Sequence, residues 1–181
     1  LAWARGLPDG TTKNNVLAMV VGTLAGNDPR QAASDFSQLP AASQTAAAGQ
    51  LAQQWAQSDP AAAASWAQQL PDGDGRNQAM GNVARQFAAQ DPVKAAQWLE
   101  TLPAGASRDA AVGAFASRVA DSDPEGAAAW ASTIADAAAR TAAIEAVARR
   151  WLNQDRTSAR NWIAKTPALT DDMKRRLIGK N

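Results

Sequence analysis

The chain has 181 residues, 46% of them apolar and 19% charged, with a formal net charge of +1 and no cysteine, histidine or tyrosine. That balance excludes a disordered segment, and no apolar run reaches the ~18 residues a membrane span needs. It also excludes disulfides, thiolate metal sites, thiol nucleophiles and every nucleophile–base pair built on histidine.

Fixed-period self-similarity organises what remains. The chain opens at Leu1, without Met and in the middle of a repeat, so it is expected to be a piece of a longer protein or a processed chain. Residues 1–12 read as a half-repeat, with Trp3 in register with later tryptophans and Leu7-Pro8 as a closing pair. Repeats follow at about 13–40, 41–71, 72–103, 104–135 and 136–167, and 168–181 reads as a terminal helix. An aspartate recurs at Asp28, Asp59, Asp91, Asp123 and Asp155, in steps of 31, 32, 32 and 32. A tryptophan follows at Trp66, Trp98, Trp130 and Trp162; Asp35 holds that slot in the first full repeat, with Phe36 beside it as a substitute. The closing pair recurs as Leu39-Pro40, Leu70-Pro71 and Leu102-Pro103, then decays to Ile134-Ala135 and Thr166-Pro167.

Each repeat is expected to hold two helices. The first, helix A, carries the stripes Ala47, Leu51, Trp55; Ala79, Val83, Phe87; and Ala143, Val147, Trp151. A second row, Leu17, Ala48, Met80, Val112 and Ile144, widens the apolar face to that of a buried helix. Asp-Pro then starts helix B: the carboxylate takes orphan N–H groups and proline has no N–H to waste. Ala95, Trp98 and Leu102 form its apolar stripe, and Pro103 is expected to stop it, because the residue before proline is pushed out of the α region. Small residues at Ala18, Gly49, Gly81 and Gly113, and at Ala32, Ala63, Ala95, Ala127 and Ala159, mark repeated close crossings. The tryptophans are expected to wedge between these Ala-rich helices. In "LTDDMKRRLIGKN", Thr170 is expected to N-cap, Asp171 and Asp172 to suit the helix start, Lys174 to Arg176 its end, and Gly179 its stop. The predicted fold is all-α, an α-solenoid of stacked antiparallel helix pairs.

The pattern A-x-x-x-[VLF]-A-x-x-[WF]-A-x-x-D-P-x-x-A-A-x-W-x-x-x-L-P resembles the helix–turn–helix repeats of the tetratricopeptide and HEAT-like class. It differs from the tetratricopeptide signature in period, about 32 against about 34, in lacking Tyr, and in carrying its recurrent Trp on the second helix. It looks closer to Ala-rich repeats of bacterial proteins, often envelope-associated. The resemblance covers almost the whole chain and implies a bacterial source, an envelope or periplasmic setting, and a binding or scaffold role. It transfers no catalytic residue.

No metal or cofactor site is expected. The five recurring aspartates are explained as helix caps, and Asp72 and Asp74 in "PDGDGR" as a turn and helix start rather than a calcium loop, because the full oxygen-ligand set and terminal Glu do not follow. "GTLAGN" ends a helix and is not a phosphate loop. Lys13, Arg76, Arg108 and Arg140 recur at the first turn of helix A, where the dipole disfavours a cation, so a structural partner is expected, such as the Leu-Pro loop carbonyls or an aspartate of a neighbouring repeat. The remaining signal is one face of helix A that varies between repeats, with Asn15; Gln50, Gln53 and Gln57; Gln78, Asn82 and Arg85; Ser117; and Arg149 and Asn153 as candidate partner-binding residues. Residues 1–75 carry three basic and six acidic side chains, and residues 76–181 fifteen and eleven, with the basic excess after Arg140. The functional expectation is a non-enzymatic scaffold that binds a protein or peptide, of some acidic character, on the helix-A face. A structural spacer of a larger envelope protein, or a nucleic-acid-binding repeat using the basic C-terminal end, are the alternatives.

Overall fold

The computed structural model describes residues 2–179. Among them the chain is all-helical: α1 (Ala2–Arg5), α2 (Thr11–Leu24), α3 (Pro29–Ser37), α4 (Ala41–Ser58), α5 (Pro60–Gln68), α6 (Asp74–Gln90), α7 (Pro92–Glu100), α8 (Ala106–Val119), α9 (Pro124–Ala131), α10 (Ala137–Gln154), α11 (Arg156–Lys165) and α12 (Asp171–Ile178). No helix there is long and apolar enough to cross a membrane.

The caps explain where the B helices begin. Asp28, Asp59, Asp91, Asp123 and Asp155 are the N-caps of α3, α5, α7, α9 and α11, and each carboxylate accepts a backbone N–H inside the first turn. Two of these carboxyls lie below the usual aspartate range. Asp91 is held there by the Lys94 backbone N–H and by the Lys94 side chain, and Asp155 by the side chain and then the N–H of Ser158. A depressed folded-state pKa means stability that is present above the unfolded value and lost as the pH falls through the folded one. The protein is therefore expected to lose stability on acidification below about pH 5, and an Asp91→Asn/Asp155→Asn variant to show a shallower loss in urea melts run across that window.

The A helices α2, α4, α6 and α8 stack side by side, and each B helix sits in the groove between its own A helix and the next. The B helices make no comparable contact with one another, so the A row forms the continuous side of the stack. Both predicted apolar rows of helix A are buried, except Ala143, which is half-buried, and Ala32, Ala63, Ala95, Ala127 and Ala159 are fully enclosed. The α12 helix packs against α10 and α11, with Thr170 as its N-cap and Gly179 ending it at φ 85°.

Two expectations need correction. First, the tryptophans are not core wedges: Trp66, Trp98, Trp130 and Trp162 are half-buried, and Trp3 is 73% exposed. The enclosed B-helix row lies one residue further on, at Phe36, Ala67, Leu99, Ala131 and Ile163. The tryptophans instead roof the A–B crossing through ring contacts, as in Trp55–Trp66, Phe87–Trp98, Phe115–Trp130 and Trp151–Trp162. Second, the B helices stop before the Leu-Pro pair. Because proline bars Leu102 from the α region, α7 ends at Glu100, and a tight turn from the Leu102 N–H to the Leu99 carbonyl (3.3 Å) carries the leucine back into the core.

Glycine sets the A-helix spacing. A Cβ on Gly49 would stand 3.2 Å from the Asn82 amide and 3.4 Å from Gln78, and one on Gly81 would stand 3.4 Å from the Ala110 carbonyl. At Gly113, in the same register, the nearest atom is Cδ1 of Ile134 at 3.9 Å, and nothing of α10 comes close. Glycine inside a helix costs about 1 kcal/mol against alanine where there is room. Gly113→Ala is therefore expected to raise stability by about 0.5–1 kcal/mol. Gly49→Ala is expected to lower it, because the added Cβ presses on the Asn82 amide that donates to the Gly49 carbonyl; thermal melts of the two variants check both signs.

Candidate groove on the A helices

The A row opens between α8 and α10. Their C-terminal ends are tied together: Arg150 donates to the Ser117 carbonyl at 2.9 Å and pairs with Asp121 at 2.6 Å, and Gln154 donates to Asp121 at 2.7 Å. Toward their N-termini the helices diverge, and α10 takes its packing from α9 as much as from α8. The space left in front of Gly113 is a cavity of about 970 Å³ between α6, α8 and α10.

One loop lies where the helices diverge. In earlier repeats the closing Leu is followed by Pro, which has no N–H; here it is Ile134-Ala135. The Ala135 N–H and that of Asp136 both donate to the Asp109 carboxylate at 2.9 Å. Asp109 occupies the register of Asn14, Thr45 and Asn77, which make other contacts: Ser43 donates to Asn14 at 2.8 Å, and Ser107 to Asn77 at 2.7 Å. Arg108 donates to the Thr133 carbonyl at 3.0 Å, and Arg140 to those of Ile134 at 2.7 Å and Ala135 at 3.0 Å. The 133–136 turn is thus held by an anion on its N–H groups and two cations on its carbonyls. Two of the four recurrent first-turn cations find their partners here; Lys13 and Arg76 find theirs in Asp9 and Asp72, one turn back.

The cavity floor is small and apolar: Gly81, Ala110, Ala114, Ala142 and Ala143, with Ile134 at its base. Gln78, Asn82, Arg85 and Ser117 supply polar walls, together with Asn77, Asp109 and Asp136, which the sequence reading did not single out. Asn82 is half-buried and clamps α6 to α4 by donating to the Gly49 carbonyl at 2.9 Å, while its own carbonyl accepts from Arg85 at 2.9 Å. Arg85 forms no ion pair among the described residues, so its charge faces the groove.

The other candidate residues lie elsewhere. Asn15 is exposed on α2, and Gln50, Gln53 and Gln57 on α4, outside this cavity. Gln50 lies against Gly22, with side-chain atoms 2.9–3.0 Å from where a Cβ would stand. Arg149 and Asn153, on the same stripe of α10 as Ala142, line a second cavity of about 390 Å³ between α10, α11 and α12. Asp109 could have been found in the sequence as the one acid in its register, and Ala135 as the missing proline. Their connection, 26 residues apart, needed the fold. No family model, curated protein or solved structure matches the chain.

Proposed function

We propose that the array is a non-enzymatic scaffold that takes an extended segment of a partner protein into the groove between α6, α8 and α10. The observation that carries this reading is the break in the A-helix row: a cavity of about 970 Å³ with a small apolar floor and a polar rim, beside the Asp109–Ala135 contact. Backbone groups of an extended segment need donors and acceptors along their length, and the amides of Gln78 and Asn77, the hydroxyl of Ser117 and the guanidinium of Arg85 supply both kinds. The floor of Ala and Gly side chains lets a backbone come close, as solenoid grooves do when they bind linear partners. Kinship with tetratricopeptide or HEAT-like repeats and a bacterial envelope setting belong to the same reading and rest on the repeat pattern alone.

The test is to fill the groove. Ala142 is exposed on the α10 side of the floor, so Ala142→Trp occupies the space without entering the core. Peptides selected for binding to the intact chain from a random display library are expected to bind Ala142→Trp at least about tenfold more weakly, a loss of about 1.4 kcal/mol, with unchanged circular dichroism melts. Peptides that bind both proteins equally would move the site off this face.

A further inference from the structure

The second cavity has a chemistry of its own. Three guanidinium groups, those of Arg149, Arg156 and Arg160, line it with Asn153, while Leu152, Leu177 and Ile178 form an apolar wall; no carboxylate lines it. Most of the basic side chains after Arg140 are already engaged. Arg150 pairs with Asp121, Arg175 with Asp172, Arg176 with Glu145, and Lys174 donates to the Ala164 carbonyl. Glu145 also accepts from Arg149 at 3.1 Å, but it is shared with Arg176 and offsets one charge of two. Asp155 spends its carboxylate on the N–H groups of Thr157 and Ser158. Arg156 makes no ion pair and no side-chain hydrogen bond among the described residues, and it stands where α3, α5, α7 and α9 have proline. Arg160 ties α11 to α12 by donating to the Ile178 carbonyl at 3.1 Å, yet its Nε is buried with no partner. That atom is closed off from the cavity, so the charge an anion meets there is that of the unpaired Arg156 guanidinium and of Arg149, which shares Glu145 with Arg176.

We infer that this cavity binds the carboxylate of an acidic residue, flanked by an apolar one, on a segment of a partner protein. The carboxylate matches the planar donor fork of Arg156, and the neighbouring apolar side chain covers Leu152, Leu177 and Ile178. A nucleic acid fits less well, because the cavity has no aromatic side chain for a base to stack on and its charges form a spot rather than a track. The inference deepens the groove reading and rests on it in one respect: the partner segment is the one that leaves the groove along α10. Ala142 in the first cavity and Arg149 in the second are seven residues apart on one helix, roughly 10 Å, which an extended segment crosses in about three residues.

The probe is a fluorescein-labelled decapeptide of alternating Leu and Glu, flanked by Gly-Ser, titrated with the full chain and followed by anisotropy. Saturable binding is expected, weakening with added salt and falling at least about tenfold when Gln replaces Glu in the peptide. The same fall is expected for Arg156→Pro, which restores the Asp-Pro start of four other B helices and so leaves the fold intact. No binding by the intact chain, equal affinity for the Gln peptide or for Arg156→Pro, or displacement of the peptide by a lower concentration of a ten-nucleotide oligothymidylate would each overturn the inference. The two readings separate cleanly. Decapeptide binding lost in Arg156→Pro and kept in Ala142→Trp supports this cavity whatever becomes of the groove. Library-selected peptides weakened by Ala142→Trp, alongside a decapeptide that binds Arg156→Pro as tightly as the intact chain, overturn this inference and leave the groove standing.

Discussion

Asp109→Ala is expected to lower the unfolding free energy by about 2–4 kcal/mol, because it strands two backbone N–H groups that a charged acceptor now satisfies. Asp109 is 8% exposed, so water replaces the lost acceptor poorly. Asp109→Asn keeps one carbonyl oxygen and is expected to cost about half as much. The diagnostic variant is Ala135→Pro, which restores the closing pair of the other repeats. Alone it removes one of the two N–H donors and leaves the carboxylate half-paired, so it destabilises. In the Asp109→Ala background it has no bond left to break and is expected to cost little more. Urea unfolding followed at 222 nm across this double-mutant cycle measures the coupling. Strict additivity would show that the two departures from the repeat are unrelated.

The tryptophans supply the second large effect, graded by their ring partners. Trp66 meets Phe36 edge-on at 5.3 Å and 81° and Trp55 at 6.1 Å, so it joins α3, α4 and α5. Among the described residues the Trp98 ring meets only Phe87, at 6.2 Å, and its indole N–H is buried with no acceptor. Trp66→Ala is expected to cost about 3–4 kcal/mol and Trp98→Ala about 2–3 kcal/mol, since each aromatic pair adds to the burial lost. Trp98→Phe keeps the ring contact and discards the unpaired donor, and is expected to cost under about 1.5 kcal/mol. Circular dichroism melts of the three variants give the order. A Trp98→Ala loss equal to that of Trp66→Ala would mean that burial alone sets the effect. From the sequence alone Trp98 reads as a core wedge worth about 3–5 kcal/mol; its half-exposure moves it below that range.

The helices were legible because their signals are local. A cap acts over three residues, and an apolar stripe over two or three turns, so the Asp-Pro starts and the buried A-helix faces could be read directly. The enclosed B-helix row was obscured because it alternates in size, as Phe36, Ala67, Leu99, Ala131 and Ile163, while the constant tryptophan beside it drew the core assignment. The candidate face was legible as a stripe but not as a site. Nothing in Gln53 or Gln78 taken singly tells which one borders a cavity. That depends on whether the next A helix packs closely, and α10, beside the loop where Ala135 meets Asp109, does not. The cavity among the C-terminal arginines was equally hidden, because which cations are already paired depends on Asp121, in the turn after α8, and on Glu145 of α10.

The glycine contacts and the opened joint also set how the array responds to load. In a stacked chain, stability is close to a sum of each unit's own worth and its coupling to the next. Those couplings are uneven here: strong from α2 through α8, where Gly49 receives the side chains of Gln78 and Asn82 and Gly81 meets the Ala110 backbone, and weak where Gly113 faces open space. The molecule is mechanically two blocks of unequal length joined by a soft link, with Arg150 and Gln154 as its pin. Bending would concentrate at that link, so a guest wedged there would stiffen the whole rod by bracing its most compliant point.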